Sequence, residues 1–173
     1  MVNKSSINEL EAIKMAINIE KRGEQFYRKA AEKFADVSDI ASVFLNLAKE
    51  EEDHARTFQR IYDDFADKNH KFDDTYLYEP EVEAYLYATV ETTIFPSDED
   101  NDDVLGEIQS PEDVLRLGIQ MEKDSILFYT EMIIYSHLLE AKDAFRRLLK
   151  EEKKHLVDLK SKLDEMLKND IKK

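Results

Sequence analysis

The chain reads as all-α, a four-helix bundle whose second and third helices are joined by a long connection. Three observations predict this. Gly and Pro number only three each among 173 residues, while Glu, Lys, Leu, Ala and Ile are abundant, a composition that favours helix. Apolar residues recur three and four positions apart along four long segments. One pattern of Glu, aromatic and His residues also occurs twice, about a hundred residues apart.

Helix A is expected over about 6–35, with Ser6 and Glu9 at capping-box spacing. Asp36-Val37-Ser38 makes a short turn, and helix B follows over 39–66. So short a link makes A and B antiparallel neighbours. Helix C opens at Ser110-Pro111, a serine cap followed by proline at the first helical position, and runs over 111–136. Helix D covers 140–168 after another short link. Residues 67–110 exceed a hairpin and suit a crossover that leaves B and C parallel. Within them an extra short helix is expected over 80–94, from Glu79-Pro80-Glu81 to Pro96. The acidic run 97–103 reads as a solvated loop. It is no EF-hand, because Asp103 stands where that loop requires glycine and Gln109 where it requires glutamate. One domain spans 1–173.

Composition excludes several functions. With no cysteine there is no disulfide, zinc finger, thiol catalysis or cysteine-ligated iron centre. A formal net charge of −14 opposes nucleic-acid binding, which requires a basic surface. No segment approaches a membrane span. The polar start, Met-Val-Asn-Lys-Ser-Ser, is unlike a signal peptide, and a cytoplasmic location is expected.

The duplicated pattern carries the chemistry. Its first copy reads Glu20, Phe26-Tyr27, Phe44, Glu51 and His54; its second reads Glu122, Phe128-Tyr129, Phe145, Glu152 and His155. Each candidate falls inside an apolar stripe. On helix B the stripe is Phe44, Leu47, Glu51, His54, Phe58, Ile61 and Phe65. On helix A, Glu20 lies between Ala16 and Gly23; on helix C, Glu122 lies between Gly118 and Ser125; on helix D, Glu152 and His155 lie between Leu148 and Leu159. An uncompensated buried charge costs on the order of several kcal/mol, against about 5–15 kcal/mol for a whole domain. Four converging carboxylates therefore require protons or cations. Two divalent ions balance them, and two imidazoles add donors, giving the ligand set of a two-metal carboxylate site in a helix bundle. Protonation alone gives no reason for histidine at the same place in both copies.

These residues resemble the rubrerythrin-like branch of the ferritin-like di-iron carboxylate superfamily, over the four bundle helices. The resemblance implies that Glu51 and Glu152 bridge two metals, with Glu20 and His54 terminal on one and Glu122 and His155 on the other. It implies two iron ions, although an O/N ligand set also accepts manganese, cobalt or zinc. It further implies an oxidoreductase that reduces hydrogen peroxide or dioxygen, in a homodimer or higher homo-oligomer. The chain departs from rubrerythrins proper in two ways. With no cysteine-ligated domain in this chain, electrons come from a separate donor or the protein is not a peroxidase. Ser125 also stands where they carry an extra carboxylate, one turn after the third-helix glutamate.

Around the site, Tyr27 and Tyr129 are candidate hydrogen-bond donors to ligands or redox side chains, or else plain core aromatics. Gly23 and Ser125 leave space for an oxidant or simply allow close packing. Glu50, Glu151 and Glu24 are expected to face solvent. Glu91 is a remote candidate ligand, and His70 and His137 are expected at the surface. The alternative function is ferroxidase and iron storage, or metal binding without multi-turnover catalysis. A di-iron hydroxylase would need an apolar channel that the sequence does not display.

Overall fold

The structure is a computed structural model that describes residues 8–67, 84, 88 and 98–170. Among the described residues five helices follow in order: α1 (Glu9–Lys33), α2 (Ser38–Asp67), α3 (Asp98–Glu107), α4 (Pro111–Tyr135) and α5 (Leu139–Asp170). The expected helices A, B, C and D are α1, α2, α4 and α5. Of the expected helix 80–94, only Ala84 and Ala88 are described, and both are helical.

Two boundaries differ from expectation. Ser6 lies outside the described residues, and α1 is capped by Asn8. The Asn8 side chain accepts from the Glu11 backbone N–H at 2.9 Å, and Glu11 returns the bond at 3.0 Å. Glu9, one position away, is freed from capping and is buried. It accepts from the Ser136 hydroxyl and from the Leu138 N–H at 3.0 Å. It thus ties the start of α1 to the α4–α5 link. The second difference is α3, where a solvated loop was expected over 97–103. The same helix carries Leu105 into the core, and the Lys33 ammonium of α1 donates to the Leu105 carbonyl. At α4, Ser110 accepts from the Asp113 N–H and Pro111 opens the helix, as expected.

Side-chain pairs fix the directions. Asp39, Glu50 and Thr57 of α2 meet Lys162, Lys154 and Arg147 of α5. The numbers run oppositely, so α2 and α5 are antiparallel. A three-residue link makes α4 antiparallel to α5, so α2 and α4 are parallel, as the long crossover implied. Glu20 and Tyr27 of α1 meet Tyr129 and Glu122 of α4, and Glu9 meets the C-cap Ser136, so α1 and α4 are also antiparallel.

The core keeps the duplication. Phe26 and Tyr27 pack edge-to-face at 5.4 Å between centroids, and Phe128 and Tyr129 at 5.5 Å. Tyr27 lies 5.9 Å from Phe44, and Tyr129 lies 5.8 Å from Phe145. All six rings are buried. The predicted stripes face inward: Ile13, Ala16, Tyr27 and Ala30 on α1, and Phe145, Leu148 and Leu159 on α5, are all inaccessible or nearly so. The two halves therefore enclose one site between matching aromatic walls. No helix among the described residues is long and apolar enough to cross a membrane.

Candidate metal centre

Glu20, Glu51, Glu122 and Glu152 are each at most 1% exposed, His155 is 1% exposed and His54 5%. Ionisable side chains are rarely so buried unless paired or bound to metal. α1, α2, α4 and α5 deliver them from their middle turns, where helical periodicity turns each one inward.

The six converge as two overlapping groups. His54 Nδ1 lies 3.2 Å from oxygens of Glu20, Glu51 and Glu152. His155 Nδ1 lies 3.3 Å from Glu51, 3.2 Å from Glu152 and 3.7 Å from Glu122. Glu51 and Glu152 belong to both groups, whereas Glu20 and Glu122 belong to one each. In each group one donor atom per residue lies within 4.8 Å of the others. The imidazoles stack at 5.6 Å between centroids, 16° from parallel.

Electrostatics set the protons. Burial, then the charge of Glu51, pushes the Glu20 carboxyl well above its ordinary range. Burial and the charge of Glu152 do the same to Glu122. Glu51 is also pushed up by burial, but its interactions with Glu20, His155 and His54 outweigh that and hold it low. Glu152 is likewise held low, by His155, His54 and Glu122, against burial and the charge of Glu51. Burial lowers both histidines, yet the surrounding carboxylates raise them far above neutrality. These shifts favour the protonated forms of Glu20, Glu122, His54 and His155 and the ionised forms of Glu51 and Glu152.

Several buried donor atoms have contacts within the cluster that lack hydrogen-bond geometry: Glu51 Oε1, Glu122 Oε2, Glu152 Oε1 and His155 Nδ1. Buried polar atoms are normally satisfied, so four such atoms in one cluster fit a centre that binds cations. Hard oxygen donors with one imidazole per group suit divalent first-row metals.

Both tyrosines donate to the cluster, crosswise. Tyr27 donates to Glu122 Oε1 and Tyr129 to Glu20 Oε1. Each serves the glutamate of the other repeat. Burial, then the Glu122 charge, pushes the Tyr27 phenol well above its usual range, so it keeps its proton. Gly118 makes room for this ring: a Cβ there would meet Leu159 Cδ1 at 3.3 Å and Tyr27 Oη at 3.5 Å.

Glu50 and Glu151 were expected to be plain solvent-facing residues. Their side chains are 44% exposed, but each reaches a buried histidine. Glu50 lies 2.8 Å from His155 Nε2, and Glu151 lies 2.7 Å from His54 Nε2. The repeated Glu-Glu-x-x-His string was the available signal. His137 is exposed, as expected, and His70 and Glu91 lie outside the described residues. Glu24 pairs with Arg28 at 2.8 Å, away from the cluster. Ser125 is buried one turn from Glu122, and its hydroxyl has no hydrogen-bond partner.

The rubrerythrin family model matches residues 11–163. The chain belongs to the rubrerythrin family. Those residues contain all six cluster residues and both tyrosines. The fold is also similar to a solved structure from Thermotoga maritima, named as a candidate ferritin-like diiron-carboxylate protein. The identity is 26% and the TM-score 0.71, over 95% of this chain and 99% of that one. No curated protein matches.

Proposed function

We propose that this rubrerythrin-family chain is a di-iron oxidoreductase that reduces hydrogen peroxide or dioxygen, recharged by an external electron donor. One observation carries the reading: two donor groups share Glu51 and Glu152 and differ in Glu20 with His54 and Glu122 with His155. The shared glutamates would hold both ions, and each remaining pair would hold one. A ferrous pair there supplies two electrons at one place, one from each ion.

The chain's own residues supply the rest. Net reduction of peroxide takes two electrons and two protons and yields two waters. Protons are at hand on Tyr27 Oη and Tyr129 Oη, each directed at a ligand carboxylate. The buried rings of Phe26, Phe44, Phe58, Phe128 and Phe145 exclude bulk water, which strengthens the charge interactions within. Gly23 and Ser125 present only small side chains one turn beyond Glu20 and Glu122.

Stopped-flow mixing of ferrous-loaded protein with peroxide or dioxygen tests the reading. Rapid oxidation in wild type, lost in Glu51→Ala, is the expected result. Equal slow rates in both would refute it, and iron accumulating far beyond two per chain would point to storage instead.

A further inference from the structure

Four arginines of this chain meet carboxylates. Arg28 pairs with Glu24 and Glu52, Arg56 with Glu52 and Asp53, Arg116 with Glu112, and Arg146 with Asp143. Arg60 of α2 and Arg147 of α5 behave differently. Both are exposed, and neither pairs with a carboxylate among the described residues, in a chain that carries 39 Asp and Glu. Instead both turn to one oxygen. The half-buried Thr57 hydroxyl accepts from Arg147 Nη2 at 3.3 Å and from Arg60 Nη2 at 3.5 Å, while it donates its own hydrogen to the Asp53 carbonyl at 3.0 Å.

We propose that Arg60, Arg147 and Thr57 form a binding site for a phosphate group that bridges α2 and α5. Two guanidiniums drawn to one neutral oxygen repel each other, and that oxygen leaves most of their N–H donors unused, since every guanidinium carries several in a fixed fork. A tetrahedral oxyanion answers both conditions. Its charge offsets the repulsion, and its separate oxygens accept paired N–H bonds from two forks that arrive from different helices. The chain does not supply this anion itself, because Asp53, the carboxylate on the same wall, is held by Arg56 at 3.2 Å. Space is available. Thr57 and Arg60, with Asp53, Arg56 and Gln59, line an open cleft of about 580 Å³, and Arg147 reaches its wall from the facing helix. The position gives binding a consequence. Thr57 lies three residues after His54, and Arg147 five residues before Glu152. A phosphate held there ties together the two helices that carry Glu51, His54, Glu152 and His155, and a ligand that binds only the folded chain stabilises it. The proposal stands apart from the metal reading, because none of its three residues belongs to the buried cluster.

The test is titration of the ¹⁵N-labelled full chain, freed of metal so that phosphate cannot ligate it. Inorganic phosphate is used in one series and glycerol phosphate in another, with ionic strength held constant by sodium chloride. Backbone and arginine side-chain correlations map the site, and the melting temperature reports linkage. The expected result is one saturable site per chain, with shifts centred on Thr57, Arg60 and Arg147 and a melting temperature that rises with phosphate. Arg60→Gln and Arg147→Gln should each weaken binding by about tenfold or more, as loss of a charged hydrogen bond implies. Arg146→Gln is the control for surface charge: it removes a neighbouring exposed arginine that pairs with Asp143, and it should bind as wild type does. Both phosphate sources test the same chemistry. Tighter binding of the ester would assign the site to a phosphorylated small molecule, and equal or tighter binding of inorganic phosphate to the free ion; each supports the proposal. Shifts that grow without saturation would mean a general counter-ion only and would overturn it. An equal loss in Arg146→Gln, or shifts centred on the buried histidines rather than on Thr57, would overturn it too.

Discussion

Loading the centre with metal should expel four protons. Burial and neighbouring charge push Glu20 and Glu122 toward the protonated form, and the surrounding carboxylates push His54 and His155 toward the imidazolium. Glu51 and Glu152 are pushed toward the ionised form. Two divalent ions bring four positive charges and need four carboxylates and two neutral imidazoles. Exchange of four protons for two ions leaves the net charge of the buried cluster unchanged, which avoids the cost of an uncompensated buried charge. Ligand deprotonation makes metal affinity pH-dependent. With two protons released per ion, affinity should rise about a hundredfold per pH unit near neutrality. Isothermal titration with zinc, repeated in buffers of differing ionisation enthalpy, measures the proton count as a slope. A slope near four per two ions is expected. A slope near zero would mean that the carboxylates and imidazoles shed their protons before metal arrives, and the charge argument would fail.

Three other perturbations follow from the same contacts. Metal-free protein should lose stability as pH rises: a histidine with a raised folded pKa stabilises fully below about 6.5 and less above it, and raised Glu20 and Glu122 act in the same direction from about 4.5 upward. A melting temperature that falls between pH 6 and pH 9 is expected, and one that climbs would contradict the assignment. Tyr27→Phe and Tyr129→Phe each remove a donor to a buried carboxyl oxygen, and each should cost about 1–3 kcal/mol in urea unfolding, with helix content retained. Glu9→Ala leaves the Ser136 hydroxyl and the Leu138 N–H without their buried acceptor. It should cost a similar amount, about 1–3 kcal/mol, and hydrogen exchange should quicken in the α4–α5 link rather than at the metal centre.

The parts that sequence reveals are those governed by helical period. A residue four positions from Phe58 and seven from Leu47 must share their face, so His54 was assignable to the core without coordinates. The same reasoning placed Glu20, Glu51, Glu122, Glu152 and His155 there. Periodicity says which side of a helix faces inward, but not which neighbour meets its edge. Glu50 and Glu151 sit on such edges, and their histidine partners, 105 and 97 residues distant, depend on the α2–α5 pairing. The same holds for Tyr27 and Tyr129: their offset from the ligands was visible, but not that each would reach across to the other repeat. Glu9 was hidden by a local alternative, since Ser6-x-x-Glu9 has the spacing of a capping box while Asn8-x-x-Glu11 forms one. The acidic residues before Gly106 read as solvated because charge dominates their composition. The structure places residues 98–107 in a helix that buries Leu105 in the core.

The most direct test of the whole account is metal content, measured by mass spectrometry on protein from iron-supplemented cells, beside the double variant Glu51→Ala/Glu152→Ala. These two glutamates are shared by both donor groups, so their loss should disable both positions at once. About two iron ions per chain in wild type, lost in a variant that remains helical, is the predicted result. A folded wild-type protein without metal, or one whose iron survives the double substitution, would contradict it.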